Sequence, residues 1–109
     1  MNRGEVWWVD FPSPTGGEIQ KRRPCVIISN DVSNRFLNRV QIIPLTSNVE
    51  KLQAGEAYVN VGGKPGKALA TQIQTASKER VLNRLGRLTE FELLQVEKAI
   101  KTQLGIKEK

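Results

Sequence analysis

Glu5-Val6-Trp7-Trp8-Val9-Asp10-Phe11 is rich in β-branched and aromatic residues, and four later stretches, most of them similar in make-up, read the same way: Pro24 to Ser29, Val40 to Leu45, Glu56 to Val61 and Ala68 to Gln74. Clusters of Gly, Pro, Asn or Ser bound them, so each predicts a strand. Strands so short and so regularly punctuated predict a small closed or half-closed barrel. The segment from Thr89 differs. Thr89 and Glu92 make a capping box, and Leu93, Val96, Ile100 and Leu104 then recur at helical spacing until Gly105. This predicts a C-terminal helix of about four turns, with those four residues, and Phe91 and Leu94 beside them, facing the core. Asp31 to Phe36 predicts a single helical turn, and Gly62 to Gly66 a turn or flexible loop. With no repeat and no linker, residues 1–109 read as one domain, a barrel over about 4–88 and a helix over about 90–104: mainly β with a C-terminal helix.

A chain of 109 residues buries roughly two-thirds of its unfolded surface in one core. Its single cysteine, Cys25, cannot form an internal disulfide, and it sits in an apolar strand where a buried, inert thiol is expected. The N-terminus is polar and carries Glu5 where a secretory signal would be apolar. A reducing, cytoplasmic setting is the expectation. Uninterrupted apolar runs fall far short of the roughly 20 residues needed to cross a bilayer, so no membrane association is expected. There is no histidine. That removes paired-histidine ribonuclease chemistry, histidine-ligated metals and Ser-His-Asp catalysis. Neither a metal nor a cofactor is expected.

The charge is uneven. Lys and Arg outnumber Asp and Glu by 13 to 7 from Met1 to Leu88 and balance at 4 to 4 from Thr89 onward, so the whole excess of +6 lies on the first part. A basic surface on a small domain suits a polyanion such as nucleic acid, or serves solubility alone. The loop Pro12 to Pro24 holds Gly16, Gly17, Glu18 and the run Lys21-Arg22-Arg23. It suits either a phosphate cradle or a surface turn with solvated charges. Thr46 and Ser47 set two hydroxyls at a strand end, where turn capping is the plainer role. Lys78 and Arg80, with Arg84 and Arg87, form a later basic group that suits an RNA backbone or plain solvation.

These residues, in order, resemble the MazF/PemK toxin family of type II toxin-antitoxin systems. Gly4 to Phe11, Gly17-Glu18, Lys21 to Pro24, Val26 to Ser29, Ile43 to Thr46 and Thr71 to Thr75 through Lys78-Glu79-Arg80 carry the resemblance. It implies the SH3-like small barrel of the CcdB, Kid and MazF plasmid-maintenance toxins. It also implies a homodimer that cuts single-stranded RNA as a metal-independent, sequence-specific endoribonuclease, held in check by a cognate antitoxin with an acidic, disordered tail. By motif position Arg23 and Thr46 are the implied catalytic residues, with Glu18 a third. Lys21, Arg22, Ser47, Gln72, Lys78 and Arg80 are the implied RNA contacts. The chain departs from the family pattern at Thr71, Gln74 and Ser77, positions that bear on base recognition.

On that footing the ribose 2'-OH attacks its own phosphate to leave a 2',3'-cyclic phosphate and a 5'-OH. Arg23 clamps the charged phosphorane, Thr46 orients a phosphate oxygen, and Glu18 either takes the 2'-OH proton or merely pairs with Lys21 or Arg22. Trp7 and Trp8, adjacent on a strand, must point to opposite faces, one to the core and the other to a dimer contact or beneath the RNA. Two other activities suit such a barrel: a non-enzymatic toxin that binds gyrase, and a general RNA-binding module.

Overall fold

A computed structural model describes residues 1–11 and 21–107. Strand β1 (Glu5–Phe11) pairs along nearly its whole length with β2 (Lys21–Ile27), from Val6 opposite Val26 to Phe11 opposite Lys21. This pairing carries β2 three residues further back than Pro24, where the sequence predicts its start. After helix α1 (Asp31–Phe36), capped by the Asn30 side chain, β3 (Arg39–Thr46) runs antiparallel to β2 through Cys25 opposite Pro44.

The hairpin of β4 (Glu56–Val61) and β5 (Lys64–Leu69) narrows the predicted turn or flexible loop over Gly62 to Gly66 to a tight turn, with Lys64 to Gly66 in the strand. Gly62 and Gly63 alone turn the chain, with φ of +59° and +82°, and Val61 pairs with Lys64. Two positive φ angles in a two-residue connection match the twist of the flanking strands. The predicted strand Ala68 to Gln74 is also broken. β5 pairs with the end of β3, a 3-10 turn (Ala70–Gln72) intervenes, and β6 (Gln74–Ser77) pairs with the beginning of β3 along the same edge. After a second 3-10 turn (Lys78–Arg80), β7 (Val81–Arg87) joins β1 with two register shifts. Its basic, largely exposed residues lack the alternation that would have predicted it. The sheet order is β4-β5-β3-β2-β1-β7, curled into an antiparallel half-barrel.

Alternation along β1, β2 and β3 builds two cores. Val6, Val26, Ile43 and Leu45 point to one face and pack with Val59, Leu88, Val96 and Ala99, so this core lies beneath the C-terminal helix α2 (Glu90–Leu104). Val9, Cys25, Ile27, Val40 and Ile42 point to the other face and form a second cluster with Ala76 and Val81. Trp7 packs against that second cluster, while Trp8 points the opposite way.

Helix α2 begins and ends where the sequence predicts. The Thr89 hydroxyl accepts from the Glu92 N–H at 3.1 Å, Glu92 Oε1 accepts from the Thr89 N–H at 2.9 Å, and Gly105 closes the helix at φ +68°. Glu92 Oε2 also accepts the Asn60 N–H of β4 at 2.5 Å. The predicted apolar face is only partly buried. Val96 and Ala99 are covered and Leu93 and Ile100 half-covered, but Phe91, Leu94 and Leu104 are 69%, 55% and 54% exposed. Phe91 and Leu94 lie off the buried stripe around the helix axis, and Leu104 lies at the helix end. Among the described residues no helix is long and apolar enough to cross a membrane.

Candidate active site

Arg23 and Thr46 lie just beyond the end of the β2–β3 ladder, whose last registered pair is Cys25–Pro44. Both strands continue two residues past the Cys25–Pro44 pair, β2 back to Arg23 and β3 on to Thr46. Alternation sets Arg23 on the face of Cys25 and Ile27, and Thr46 on the face of Val40 and Ile42, which is one and the same face. Both residues are half-buried. The thiol of Cys25 senses the arginine: burial raises it and the Arg23 charge opposes part of that rise, the net being a thiol pushed up to about 12.

The Thr46 hydroxyl accepts the Asn48 N–H at 3.2 Å. A hydroxyl that accepts there keeps its own proton free to donate outward. The plainer turn-capping role and an outward-facing donor are therefore compatible at this residue. Its backbone is held from the other side. Thr46 pairs with Lys67 of β5, and a Cβ at neighbouring Gly66 would stand 2.7 Å from the Thr46 carbonyl oxygen. The β5 backbone approaches this closely because residue 66 has no side chain.

Thr46 also lies on the rim of a cleft of about 340 Å³ on the opposite face of the sheet, together with Trp8, Pro24, Leu45, Ser47 and Lys64. Arg23 is not part of this cleft. Of the other expected RNA contacts, Lys21 shares the Arg23 face, being two residues away on the same strand, whereas Arg22 faces the other way, with its Nε 3.9 Å from Asp10. Ser47 is exposed at the cleft rim. Glu18, with Gly16 and Gly17, lies outside the described residues.

Gln72 is exposed in the 3-10 turn, and its carbonyl accepts from Gln74 Nε2 at 3.4 Å. Gln74 pairs with Ile42 and so shares the Arg23–Thr46 face, four residues along β3, or about 13 Å, from Thr46. Gln74 is thus the better-placed amide, a distinction that only the β3–β6 register reveals. Lys78 and Arg80 lie near the opposite end of β3, where Ser77 pairs with Arg39. The Lys78 ammonium donates to the Asn34 carbonyl and steadies α1. Within one chain they do not join Arg23 and Thr46. Among the described residues no three His, Cys, Asp or Glu side chains gather as a metal-binding group.

Comparison with known proteins gives consistent matches over nearly the whole length. The model of the PemK-like, MazF-like toxin of type II toxin-antitoxin systems matches residues 2–104. Endoribonuclease MazF9 of Mycobacterium tuberculosis is 33% identical over 115 residues, covering 97% of this chain and 98% of the relative. Endoribonuclease MazF of Staphylococcus epidermidis is 30% identical over 112 residues, covering 97% and 92%. A solved mycobacterial endoribonuclease in complex with its cognate antitoxin superposes with a TM-score of 0.82 at 23% identity, covering 100% of this chain and 99% of that one. The half-barrel with its C-terminal helix is the fold of that structure.

Proposed function

Because the chain belongs to the PemK-like, MazF-like toxin family of type II toxin-antitoxin systems, we propose that it is an endoribonuclease toxin that cuts single-stranded RNA at Arg23 and Thr46. The supporting observation is that alternation along β2 and β3 sets those two residues on one sheet face, each two residues past the last registered pair, Cys25–Pro44. The ribose 2'-oxygen attacks the adjacent phosphorus. As that P–O bond forms, the P–O5' bond breaks, leaving a 2',3'-cyclic phosphate and a 5'-oxygen that takes up a proton. The guanidinium of Arg23 offers a planar donor fork to the non-bridging oxygens, whose negative charge grows in the phosphorane. The Thr46 hydroxyl, held by the Asn48 N–H, donates a hydrogen bond to a phosphate oxygen. Arginine is too weak an acid to serve as a resting base, so Glu18 is the group assigned to receive the 2'-OH proton. Lys21 extends the positive face along the strand.

The same proposal includes a homodimer in a reducing, cytoplasmic setting. It also includes an inhibitor whose acidic, disordered tail folds along the basic face and competes with RNA. The test is cleavage of a long single-stranded RNA in excess chelator, with product ends analysed by mass spectrometry. Cutting should persist, yield cyclic phosphate and 5'-OH ends, and stop when deoxyribose replaces ribose at the cleaved position. Arg23→Ala should slow it at least about a hundredfold, as does loss of a preorganised transition-state donor elsewhere, with the fold kept. Thr46→Ser should retain more activity than Thr46→Ala. Cutting of the deoxy substrate, or a well-folded Arg23→Ala at normal rate, would overturn the mechanism.

A further inference from the structure

Lys67 carries a charge that cleavage does not use. The residue is only 5% exposed. Its Nζ stands 2.9 Å from Glu56 Oε1 and 3.4 Å from the Lys51 carbonyl. The same Glu56 oxygen accepts the Gln53 N–H at 2.9 Å. Stability alone gives little reason for such a pair, because apolar replacements of buried ion pairs are often neutral or stabilising.

Its location supplies the reason. Residues 47–55 leave β3 at Thr46 and re-enter the sheet at Glu56 in β4. Lys67 is the ladder partner of Thr46, so the ion pair joins the two feet of this loop. Through Lys51 and Gln53 it also catches the loop midway. Of the loop's other ties, those nearest Thr46 lie at the surface, namely Asn48 N–H to Thr46 Oγ1, Glu50 N–H to Asn48 Oδ1 and the Tyr58 hydroxyl to the Val49 and Glu50 carbonyls, while at the far foot the Ala70 N–H holds the Gly55 carbonyl and the Glu56 N–H meets the Gln53 carbonyl.

We propose that Lys67 is a positioning residue which, with Glu56, holds residues 47–55 in one course beside Thr46, so that Ser47 and the loop backbone meet the RNA already ordered. The proposal rests on the ribonuclease reading for its functional half. Its structural half concerns the loop alone. A loop ordered in advance saves the entropy of ordering on binding, so its loss should fall on substrate affinity. Thr46 and Arg23 stay on their strands, so the chemical step should be spared.

The double variant Lys67→Met/Glu56→Gln removes both charges and keeps an acceptor for the Gln53 N–H. It should fold, exchange the Asn48, Glu50 and Gln53 amides faster than the wild type, and raise KM on the order of tenfold, the equivalent of one hydrogen bond's contribution. Its kcat should stay within about twofold. Lys67→Arg, which keeps a charged donor, should bring KM back towards the wild-type value. Unchanged amide exchange, a fall in kcat at constant KM, or a Lys67→Arg no better than the double variant would each overturn the proposal. A wild-type protein that cuts no RNA would defeat the ribonuclease reading instead, and the amide exchange rates would still decide the loop.

Discussion

Gly66→Ala measures how closely the site depends on the β5 backbone. The added methyl would stand 2.7 Å from the Thr46 carbonyl oxygen, a backbone atom in the ladder that pairs Thr46 with Lys67. Carbon–oxygen contacts in sheets are ordinarily about 3.3 Å or longer, so β3 and β5 must part by roughly half an ångström. Overpacking of this kind typically costs about 1–3 kcal/mol. For a domain of this size that lowers Tm by roughly 5–20 °C. The same half ångström is about the tolerance of a preorganised site, and a displacement of about 1 Å can cost on the order of a hundredfold, so a fall of about tenfold in kcat/KM is expected. Thermal unfolding by circular dichroism and cleavage of a fluorogenic RNA, the latter run well below both melting temperatures, give the two readings. Gly63→Ala is the control, because it has open space around it and φ of +82°. It should lose about 1–2 kcal/mol to left-handed strain and keep its cleavage rate. Wild-type Tm and wild-type cleavage in Gly66→Ala would refute the close approach of β5. Equal loss of cleavage in Gly63→Ala would show the effect to be general destabilisation.

Thr89→Ala removes the hydroxyl that caps α2 and should cost about 1 kcal/mol, seen as a lower denaturant midpoint with an unchanged slope. Burial holds the Cys25 thiol up at about 12 against an ordinary 9.0, so iodoacetamide at about pH 8 should leave native protein unmodified and label it once urea unfolds the chain. Because the folded value is the higher one, the stability this group contributes is present below 9.0 and is lost as pH rises from there towards 12. A stability profile of Cys25→Ala, flatter than that of the wild type over this range, is the check.

What was legible in the sequence was local. Thr89, Glu92 and Gly105 specify a helix through atoms within a few residues of one another, and β1 announces itself through adjacent β-branched and aromatic residues. β7 did not, because an edge strand with a solvated basic face carries no alternation. The helix face was only half right, since periodicity tells which residues share a stripe and not how much of the stripe the sheet covers. For the site, motif resemblance singled out Arg23 and Thr46, but their shared face follows from the β2–β3 register, to which no short-range signal points. Gln74 was overshadowed by Gln72 for the same reason. Lys67 counted only as one more positive charge, and its burial arises where three strands meet.

The Glu92 carboxylate has a wider consequence than starting a helix. β4 ends the sheet, so its outward N–H groups would otherwise be open to a strand from another molecule. One of them, at Asn60, is already occupied by Glu92 Oε2. The first turn of α2 thus doubles as a guard on the exposed margin of the sheet, and fraying of that turn would leave a place where a foreign chain can begin to zip on. The margin of this sheet thus rests in part on a single carboxylate with two obligations.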